Sequence, residues 1–381
     1  MTHSVTADAI ASPVADNSRA AVRPSRRERL EGRIARLLAR LPARWIRPLI
    51  GEAPRVVDGH TLDPHVHFIL VTQRRKGRPG LCEPTLAEGR QRYLREILAV
   101  TPTPTPVGMV REIRVDGAAG SLAARHYTPA DSPTAAGAPP PLLLYLHGGG
   151  FAIGNLDTHD EPCRLLCRHA GVQVVSVAYR LAPECPFPGP VDDACAALRW
   201  AQRAAASLGA DPQRVAVGGD SAGANLATVA ALTLAREGRA PFAQLLIYPV
   251  TDVTRASRSH ATFGKGYLLE RRDMDAFREL YLGADRHTWD DPRASPARVA
   301  DLALHPPALI VTAGFDPLRD EGAAYAARLQ LADVATQHLA CNSLVHGFLH
   351  LTPMSPAARD ATLAIATSWT SMMRHSPRQT A

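Results

Sequence analysis

A five-residue motif, G-D-S-A-G at residues 219–223, constrains the fold of this chain more than any other feature. An apolar run at 214–217 precedes the motif, and a helical pattern at 224–230 follows it. A turn this tight between a strand and a helix requires glycine on both sides of Ser221, because a larger side chain would collide with neighbouring backbone. The motif predicts that the Ser221 hydroxyl stands at the carboxyl edge of a sheet. A serine at an ordinary helix N-cap is the structural alternative.

Apolar runs that are typical of buried strands alternate with helical patterns through most of the chain. This alternation predicts an α/β fold with a mostly parallel sheet covered by helices on both faces. A polar stretch from about 252 to 299 breaks the alternation and predicts an insertion above the sheet. The strand-like runs cover residues 142–146, 172–178, 214–217, 244–248 and 308–312.

The N-terminal part has a different character. Residues 1–24 show no helical or strand period, which predicts disorder. From Ser25, a basic amphipathic helix is predicted, with an interruption at Pro42. This helix either covers the folded domain or lies on an anionic membrane surface. We favour the first interpretation, in which the apolar stripe faces the core of the domain, because apolar helix stripes usually do so. The apolar stripe comprises Leu30, Ile34, Leu37, Leu38, Leu41, Trp45 and Leu49.

A second helix is predicted after Thr85, and it ends before the proline-rich run at 101–106, which is typical of a stiff linker. The net charge of +7 is concentrated in the N-terminal arginines, and no nucleic-acid motif accompanies them. No apolar run reaches the roughly 18 residues of a membrane span, and the N-terminus lacks a signal-peptide pattern. The 6 cysteines are too few for a disulfide scaffold. We therefore expect a cytoplasmic protein with reduced thiols.

One group of residues could bind a metal ion or could simply pack in the core. His159, Cys163 and Cys167 recur at four-residue steps on one helix face, and His169 is close in sequence. Small buried cysteines commonly pack as apolar residues, so we favour packing and predict no metal.

A glycine-rich segment, H-G-G-G-F at 147–151, directly follows the run at 142–146. Three glycines leave backbone N–H groups free to point into a cavity, as a developing oxyanion requires. We predict an oxyanion hole formed by the N–H groups of Gly148, Gly149 and Ala222. A phosphate-binding loop is the rival interpretation, but no Lys-Ser or Lys-Thr follows, and the G-x-G-x-x-G dinucleotide pattern is absent. His147 is expected to shape the loop rather than to transfer protons.

A nucleophilic serine needs a base, and the base needs a carboxylate that orients it. Asp316 follows the run at 308–312, and His346 follows a strand-like run at 334–339, so both are predicted at the same sheet edge as Ser221. The order Ser, Asp, His is the order of α/β-hydrolases. If the strand assignment slips, other candidates take these roles: Asp320, Glu321, His338 and His350.

Several separated motifs together resemble the hormone-sensitive-lipase family of α/β-hydrolases, also called bacterial family IV esterases. The resemblance runs from about residue 58 to 372 and includes H-G-G-G-F at 147–151, Y-R-L-A-P-E at 179–184, G-D-S-A-G at 219–223, D-P-L-R-D at 316–320 and H-G-F at 346–348. It implies an α/β-hydrolase fold with an eight-stranded, mostly parallel sheet and a helical cap. The family's nucleophile, acid and base match Ser221, Asp316 and His346.

The resemblance also implies a cofactor-free serine carboxylesterase acting on short- to medium-chain esters, often as a homodimer. The predicted division is a basic extension at 1–54, cap helices and a linker at 55–106, and a catalytic domain at 107–375 with a cap insertion at about 253–300. The expected partner is a small-molecule ester, not a nucleic acid. Peripheral membrane contact through the basic helix stays the alternative to its covering the folded domain. The alternatives are a silent ligand-binding protein, as in the gibberellin receptors of plants, or an amide or formamide hydrolase.

Overall fold

The computed structural model of the chain describes residues 22–101, 103–130, 138–254 and 257–375. Most of the segment predicted to be disordered, residues 1–24, lies outside the described residues. The family's sheet is present, with eight strands in the order β10-β9-β8-β7-β5-β6-β4-β3. Its β3 and β4 are antiparallel to their neighbours, and the other pairs are parallel.

The strand-like runs of the sequence are strands in the structure, with ends that differ by a few residues. A separate two-stranded ribbon, β1 with β2, lies N-terminal to the main sheet. The strands are β1 Val56–Val57, β2 His60–Thr61, β3 Met109–Gly117, β4 Gly120–Thr128, β5 Leu142–Leu146, β6 Gln173–Val177, β7 Val215–Asp220, β8 Gln244–Ile247, β9 Ala308–Phe315 and β10 Thr336–Val345.

Helices cover both faces of this sheet. On one face α6, α7 and α10 bury small and branched side chains such as Leu198, Leu226 and Leu329. On the other face α5 and α11 bury Leu166 and Trp369. The helices are α1 Arg26–Leu38, α2 Ala43–Ile50, α3 Pro64–Arg75, α4 Leu86–Val100, α5 Asp160–Ala170, α6 Gly189–Ala204, α7 Ala222–Arg236, α8 Arg258–Phe263, α9 Arg271–Leu282, α10 Arg319–Leu331 and α11 Pro356–His375.

Helices α1 and α2 form where the sequence predicts a basic amphipathic helix. A capping box between Ser25 and Glu28 starts α1, and Pro42 stands at the N-cap of α2, so the proline separates two helices. The expectation that the apolar stripe faces the core is wrong. All of its side chains except Leu38 are exposed, because α1 turns a different face, with Gly32, towards α4.

The segment between β8 and β9 carries α8 and α9, at the position where the sequence predicts an insertion. Met274 and Phe277 of α9 pack against Ala152 and Ile153, which follow the glycine-rich segment. From the N-terminal part, Arg90 of α4 donates to the backbone oxygens of Ala152 and Ala182. Both helical regions therefore contact the loops at the carboxyl edge of the sheet.

The cysteines of α5 pack as apolar residues. Cys163 and Cys167 are free thiols buried in the layer beneath α11. Burial raises the pKa of the Cys167 thiol to about 12, so at neutral pH it stays protonated and is a poor metal ligand. None of the described helices combines the length and apolarity that crossing a membrane requires.

Candidate active site

Ser221 occupies a strained turn between β7 and α7. Its φ of 54° is in the left-handed region, which is uncommon for a residue with a side chain. A Cβ atom at Gly219 or Gly223 would overlap the carbonyl oxygen of Leu146. Only glycine therefore allows β7, α7 and the end of β5 to come this close. The turn places Ser221 beyond the carboxyl end of β7, as the motif predicts.

His346 and Asp316 lie beside Ser221, at the ends of β10 and β9. The Nε2 atom of His346 is 2.9 Å from the Ser221 hydroxyl oxygen. Its Nδ1 atom is 2.8 Å from Oδ2 of Asp316, which is fully buried. The tautomer that satisfies both contacts donates from Nδ1 to the carboxylate and accepts the serine proton at Nε2. The structure thus joins the three predicted residues in one hydrogen-bonded series.

A backbone contact fixes the orientation of the carboxylate. Oδ1 of Asp316 accepts the N–H of Leu318 at 2.8 Å, which leaves Oδ2 for the imidazole. The ring of His346 also packs against Tyr248, with 4.6 Å between ring centroids. These contacts restrict the imidazole to the position in which both of its nitrogens are used.

The other candidates for acid and base have different partners. Asp320 accepts the backbone N–H of Ser259, and Glu321 accepts those of Thr251 and Asp252. His338 contacts the hydroxyl of Thr312. The fourth candidate, His350, lies against the hydroxyl of Tyr93.

The glycine-rich segment differs from its predicted role at one position. The N–H of Gly148 donates to Oδ1 of Asp220 at 2.9 Å, so it does not point into the cavity. The N–H groups of Gly149, Gly150 and Ala222 donate to no partner among the described residues. Gly149 and Gly150 line the cavity with Ser221. The prediction of Gly148 as an oxyanion donor is therefore wrong, and Gly150 has a free N–H that the sequence interpretation did not single out.

The backbone turn explains this shift by one residue. Gly149 and Gly150 have φ values of 118° and 59°, and a Cβ on Gly150 would overlap the ring of Phe277. The three consecutive glycines indicate in the sequence that an oxyanion loop could form here. Which of their N–H groups stay free depends on the hydrogen bond between Gly148 and Asp220. That contact joins residues far apart in the sequence.

Asp220, inside the G-D-S-A-G motif, is a buried carboxylate at the centre of a hydrogen-bond network. It accepts the hydroxyl of Tyr145 at 2.8 Å in addition to the Gly148 N–H, and Nε2 of His159 lies 3.3 Å away. Burial alone would raise the pKa of Asp220, but His159 and these hydrogen bonds hold it below the ordinary value. The network fixes the glycine-rich loop against the nucleophile turn.

Two buried imidazoles near this network are neutral. Burial lowers the pKa of His147 to about 3, and its ring stacks on Tyr179 with 4.4 Å between centroids. Nδ1 of His147 contacts the carbonyl of Gly148 at 2.8 Å, in keeping with the expected role in shaping the loop. Burial also lowers the pKa of His350 to about 3.

One group of side chains has donor atoms close enough together for a metal ion. Atoms of His159, Asp220 and His350 lie within 4.8 Å of one another. The oxygens of Asp220, however, already accept hydrogen bonds from Tyr145, Gly148 and the hydroxyl of Tyr248. The carboxylate is thus engaged in the network that orients the loop, and we assign no metal to this group.

A cavity of about 780 Å³ opens beside the nucleophile. Gly149, Gly150 and His346 line its floor with Ser221, and Phe277 and Tyr281 of α9 form part of the wall. Tyr281 stacks on Phe151, with 3.8 Å between ring centroids. At the other end, the cavity reaches the buried side of α1. The arrangement can hold an apolar molecule with one reactive group next to the serine.

Comparison with known proteins agrees with this geometry. Residues 143–350 match the family described as the alpha/beta hydrolase fold. Carboxylic ester hydrolase LipN of Mycobacterium tuberculosis is 45% identical over 303 residues, 78% of this chain and 79% of that protein. Ethyl acetate hydrolase of Pseudomonas putida is 46% identical over 58% of this chain and 70% of its own length.

Solved structures give the same result. Ester-hydrolase EH1AB1 from the metagenome of Lake Arreo, in complex with a bipyridine phosphonate derivative, superposes with a TM-score of 0.77 and 40% identity. The match covers 82% of this chain and 100% of that one. An esterase of Pyrobaculum calidifontis matches 82% of this chain and 99% of its own, with a TM-score of 0.74 and 36% identity.

A doubly covered parallel sheet with a serine at a strained strand-to-helix turn defines the α/β-hydrolase class. The chain belongs to the α/β-hydrolase fold family, as the sequence motifs predict.

Proposed function

We propose that this chain is a serine carboxylesterase that hydrolyses short- to medium-chain esters through an acyl-enzyme intermediate. It is an ester-hydrolysing enzyme of the α/β-hydrolase class, as are relatives of 45% and 46% identity. The observation that carries the residue assignment is the hydrogen-bonded series Ser221–His346–Asp316 beside an apolar cavity.

The first step is attack of Ser221 on the ester carbonyl. His346 removes the hydroxyl proton at Nε2 as the oxygen–carbon bond forms, and Asp316 balances the charge of the imidazolium. The carbonyl oxygen becomes an oxyanion. When the tetrahedral intermediate collapses, His346 returns the proton to the departing alcohol. Water then attacks the acyl-enzyme with the same proton transfers and releases the acid.

The proposed set of oxyanion donors differs from the one expected from the sequence, with Gly150 in place of Gly148. The free N–H groups of Gly149, Gly150 and Ala222 support their assignment to the oxyanion hole. Gly148 is proposed to act indirectly, by holding the loop against Asp220. An oxyanion hole built from backbone N–H groups is rigid before the substrate binds, which is the property that lowers the barrier.

The test is the initial hydrolysis rate of p-nitrophenyl esters from acetate to long acyl chains, with Ser221→Ala as the control. We expect turnover of the short and medium esters by the wild type and none above background by Ser221→Ala. Equal inactivity of both folded proteins would favour the silent binding protein. Comparable catalytic efficiency on a matched amide would favour the amidase.

Three further predictions from the sequence remain proposals. They are the division into an extension, cap and catalytic domain, the homodimer, and the membrane contact of the basic helix. The exposed apolar side chains of α1 and α2 support the last of these.

A further inference from the structure

The outward side of α1 and α2 carries a continuous apolar stripe that no described residue covers. Leu30, Ile34 and Leu37 follow one another at helical spacing on α1, and Trp45 and Leu49 continue the stripe on α2. Leu30 is 58% exposed and Trp45 is 62% exposed, so water contacts most of these side chains. Soluble proteins rarely leave so many large apolar groups together on one surface unless it binds something.

The outward direction of the stripe is fixed by contacts on the opposite side of the helices. Gly32 of α1 lies against the backbone of Ala99, and Nη1 of Arg36 donates to the Ala99 carbonyl at 2.8 Å. On α2, Ile46 and Ile50 are buried against Val71. The helices cannot turn the stripe inwards without giving up these contacts.

Arginines border the stripe and give it a strongly positive rim. Arg26, Arg33, Arg40, Arg44 and Arg47 are exposed, and they have no acidic partner among the described residues. The acidic side chains of α1 are engaged elsewhere: Glu28 pairs with Arg95 and Glu31 with Lys76. We call this surface, with the stripe Leu30, Ile34, Leu37, Leu41, Trp45 and Leu49 and these arginines, the N-terminal face.

An apolar stripe with a cationic border is complementary to an anionic lipid surface. Apolar side chains enter the boundary between headgroups and acyl chains, while arginines reach the lipid phosphates. A second copy of the chain is a poorer occupant. Two identical N-terminal faces in a symmetric dimer would bring like charges together.

The cavity gives this face a connection to the ester site. Gly32, Ala35 and Leu38 line the cavity from the buried side of α1, while Leu30 and Ile34 are exposed on the outward side. A single helix therefore separates the interior, which contains Ser221, from the surface that would contact lipid.

We propose that the N-terminal face docks on anionic phospholipid membranes and that the cavity beside it takes its apolar ester from the lipid phase. The second half of the proposal rests on the proposed esterase function. Docking itself does not require catalysis, and the Ser221→Ala variant is expected to dock as the wild type does.

The experiment is vesicle sedimentation of the full chain without any ester. Vesicles of phosphatidylcholine with about a third phosphatidylglycerol are compared with pure phosphatidylcholine. We expect wild type to pellet with the anionic vesicles and high salt to weaken the binding. A triple variant, Ile34→Ser, Leu37→Ser and Trp45→Ser, should lose at least about tenfold in vesicle affinity. Arg33→Gln, Arg40→Gln and Arg44→Gln together should lower binding to anionic vesicles by about 100-fold.

The matched control removes exposed leucines elsewhere. Leu304→Ser with Leu331→Ser alters side chains that are exposed near the amino ends of β9 and β10, away from the cavity, and should leave vesicle binding unchanged. All variants should hydrolyse a water-soluble ester as the wild type does, which verifies folding. Hydrolysis of a medium-chain ester carried in anionic vesicles should fall only in the N-terminal-face variants.

Three results would overturn the proposal. The first is equal pelleting of wild type and the apolar variant. The second is a wild-type dimer that the apolar variant converts to a monomer, with no vesicle binding by either, because the face would then bind a second copy. The third is vesicle binding that appears only after residues 1–21 are removed, because that segment would then be the occupant of the face.

Discussion

The reactivity proposed for Ser221 depends on His346 and Asp316, which lie at the ends of neighbouring strands. A serine hydroxyl is a weak nucleophile until a base accepts its proton, and an imidazole serves only in the correct tautomer and orientation. Here the carboxylate of Asp316, fixed by the N–H of Leu318, determines both. The strained turn presents Ser221 at the sheet edge, where its hydroxyl lies within hydrogen-bond distance of Nε2 of His346.

Asp316→Asn should keep the fold and lose the activity. The amide oxygen can still accept the Leu318 N–H, but an N–H₂ group facing His346 favours the wrong tautomer. We expect kcat to fall by about 10³- to 10⁴-fold with an unchanged thermal unfolding midpoint. Asp320→Asn, one turn away in α10, serves as the control and should retain activity. Full activity of Asp316→Asn would reject its assignment.

Asp220→Asn tests how the oxyanion loop is positioned. The amide oxygen can take the Oδ1 position and still accept from Tyr145 and Gly148, with the N–H₂ group facing the hydroxyl of Tyr248. The neutral amide lacks the negative charge that strengthens both hydrogen bonds at Oδ1, so the contact to Gly148 weakens. We expect kcat to fall by about 10- to 100-fold, with a smaller change in KM, because the donors stabilise the transition state more than bound substrate. Wild-type kcat in a folded Asp220→Asn protein would contradict this role.

The residue scale also shows what sequence motifs can and cannot predict. Each of Ser221, Asp316 and His346 lies where a strand ends, so strand order alone brings them to one edge. The proposed oxyanion donors differ, because three adjacent glycines give no sign of which N–H is free. That choice depends on Asp220, whose side chain captures the first of them.

Among the elements, we propose that α9 has the most direct influence on substrate choice. Phe277 lies over Gly150, and Tyr281 stacks on Phe151, so this helix forms the wall nearest to the proposed oxyanion donors. The sequence predicts an insertion at this position. The side chains that face the cavity could not be predicted, because periodicity does not define how an insertion packs on a sheet.

Phe277→Ala should enlarge the acyl site. Removing the ring leaves space beside Gly150, and we expect the ratio of kcat/KM for octanoate over acetate to rise about tenfold. The measurement is the p-nitrophenyl ester series. Phe242→Ala, at the amino end of β8, is the matched control and should leave the ratio unchanged. An identical chain-length profile in Phe277→Ala would place the acyl chain elsewhere in the cavity.

At the same scale, α1 shows a limit of apolar periodicity. The stripe correctly predicts a helix but gives the wrong face to the core. The buried face of α1 is the one that contains Gly32, because a residue with a Cβ at this position could not approach the backbone of Ala99 so closely. The leucines of the stripe lie on the exposed face. A hydrophobic pattern identifies a surface that avoids water, and both a core and a lipid surface meet that condition.

The whole molecule contains several buried, neutral histidines, which makes its stability dependent on pH. Burial lowers the pKa of His126 and His305 to about 4, and that of His147 and His350 to about 3. Below about pH 6.5 the unfolded chain binds protons at these sites and the folded chain does not. Stability is therefore full above that pH and declines as the pH falls towards the folded-state values.

His305→Gln should reduce this pH dependence. His305 contacts Gln244 and Tyr325 in the core, away from Ser221, and glutamine does not titrate. Between about pH 7 and pH 5, the loss of unfolding free energy should be smaller in the variant by on the order of 1–2 kcal/mol. Urea denaturation at both pH values measures the difference. His287→Gln, at an exposed position, should show the wild-type loss. An equal loss in His305→Gln would contradict the contribution of this side chain.

The most direct test of the account is covalent labelling of the nucleophile. A p-nitrophenyl alkylphosphonate is added to the protein; Ser221 Oγ forms a bond to phosphorus, and p-nitrophenolate leaves. We predict release of one equivalent of p-nitrophenolate, loss of esterase activity, and a phosphonyl adduct that peptide mass spectrometry assigns to Ser221. Ser221→Ala should show neither adduct nor turnover. An adduct on another residue, or ester hydrolysis that persists in Ser221→Ala, would contradict the account.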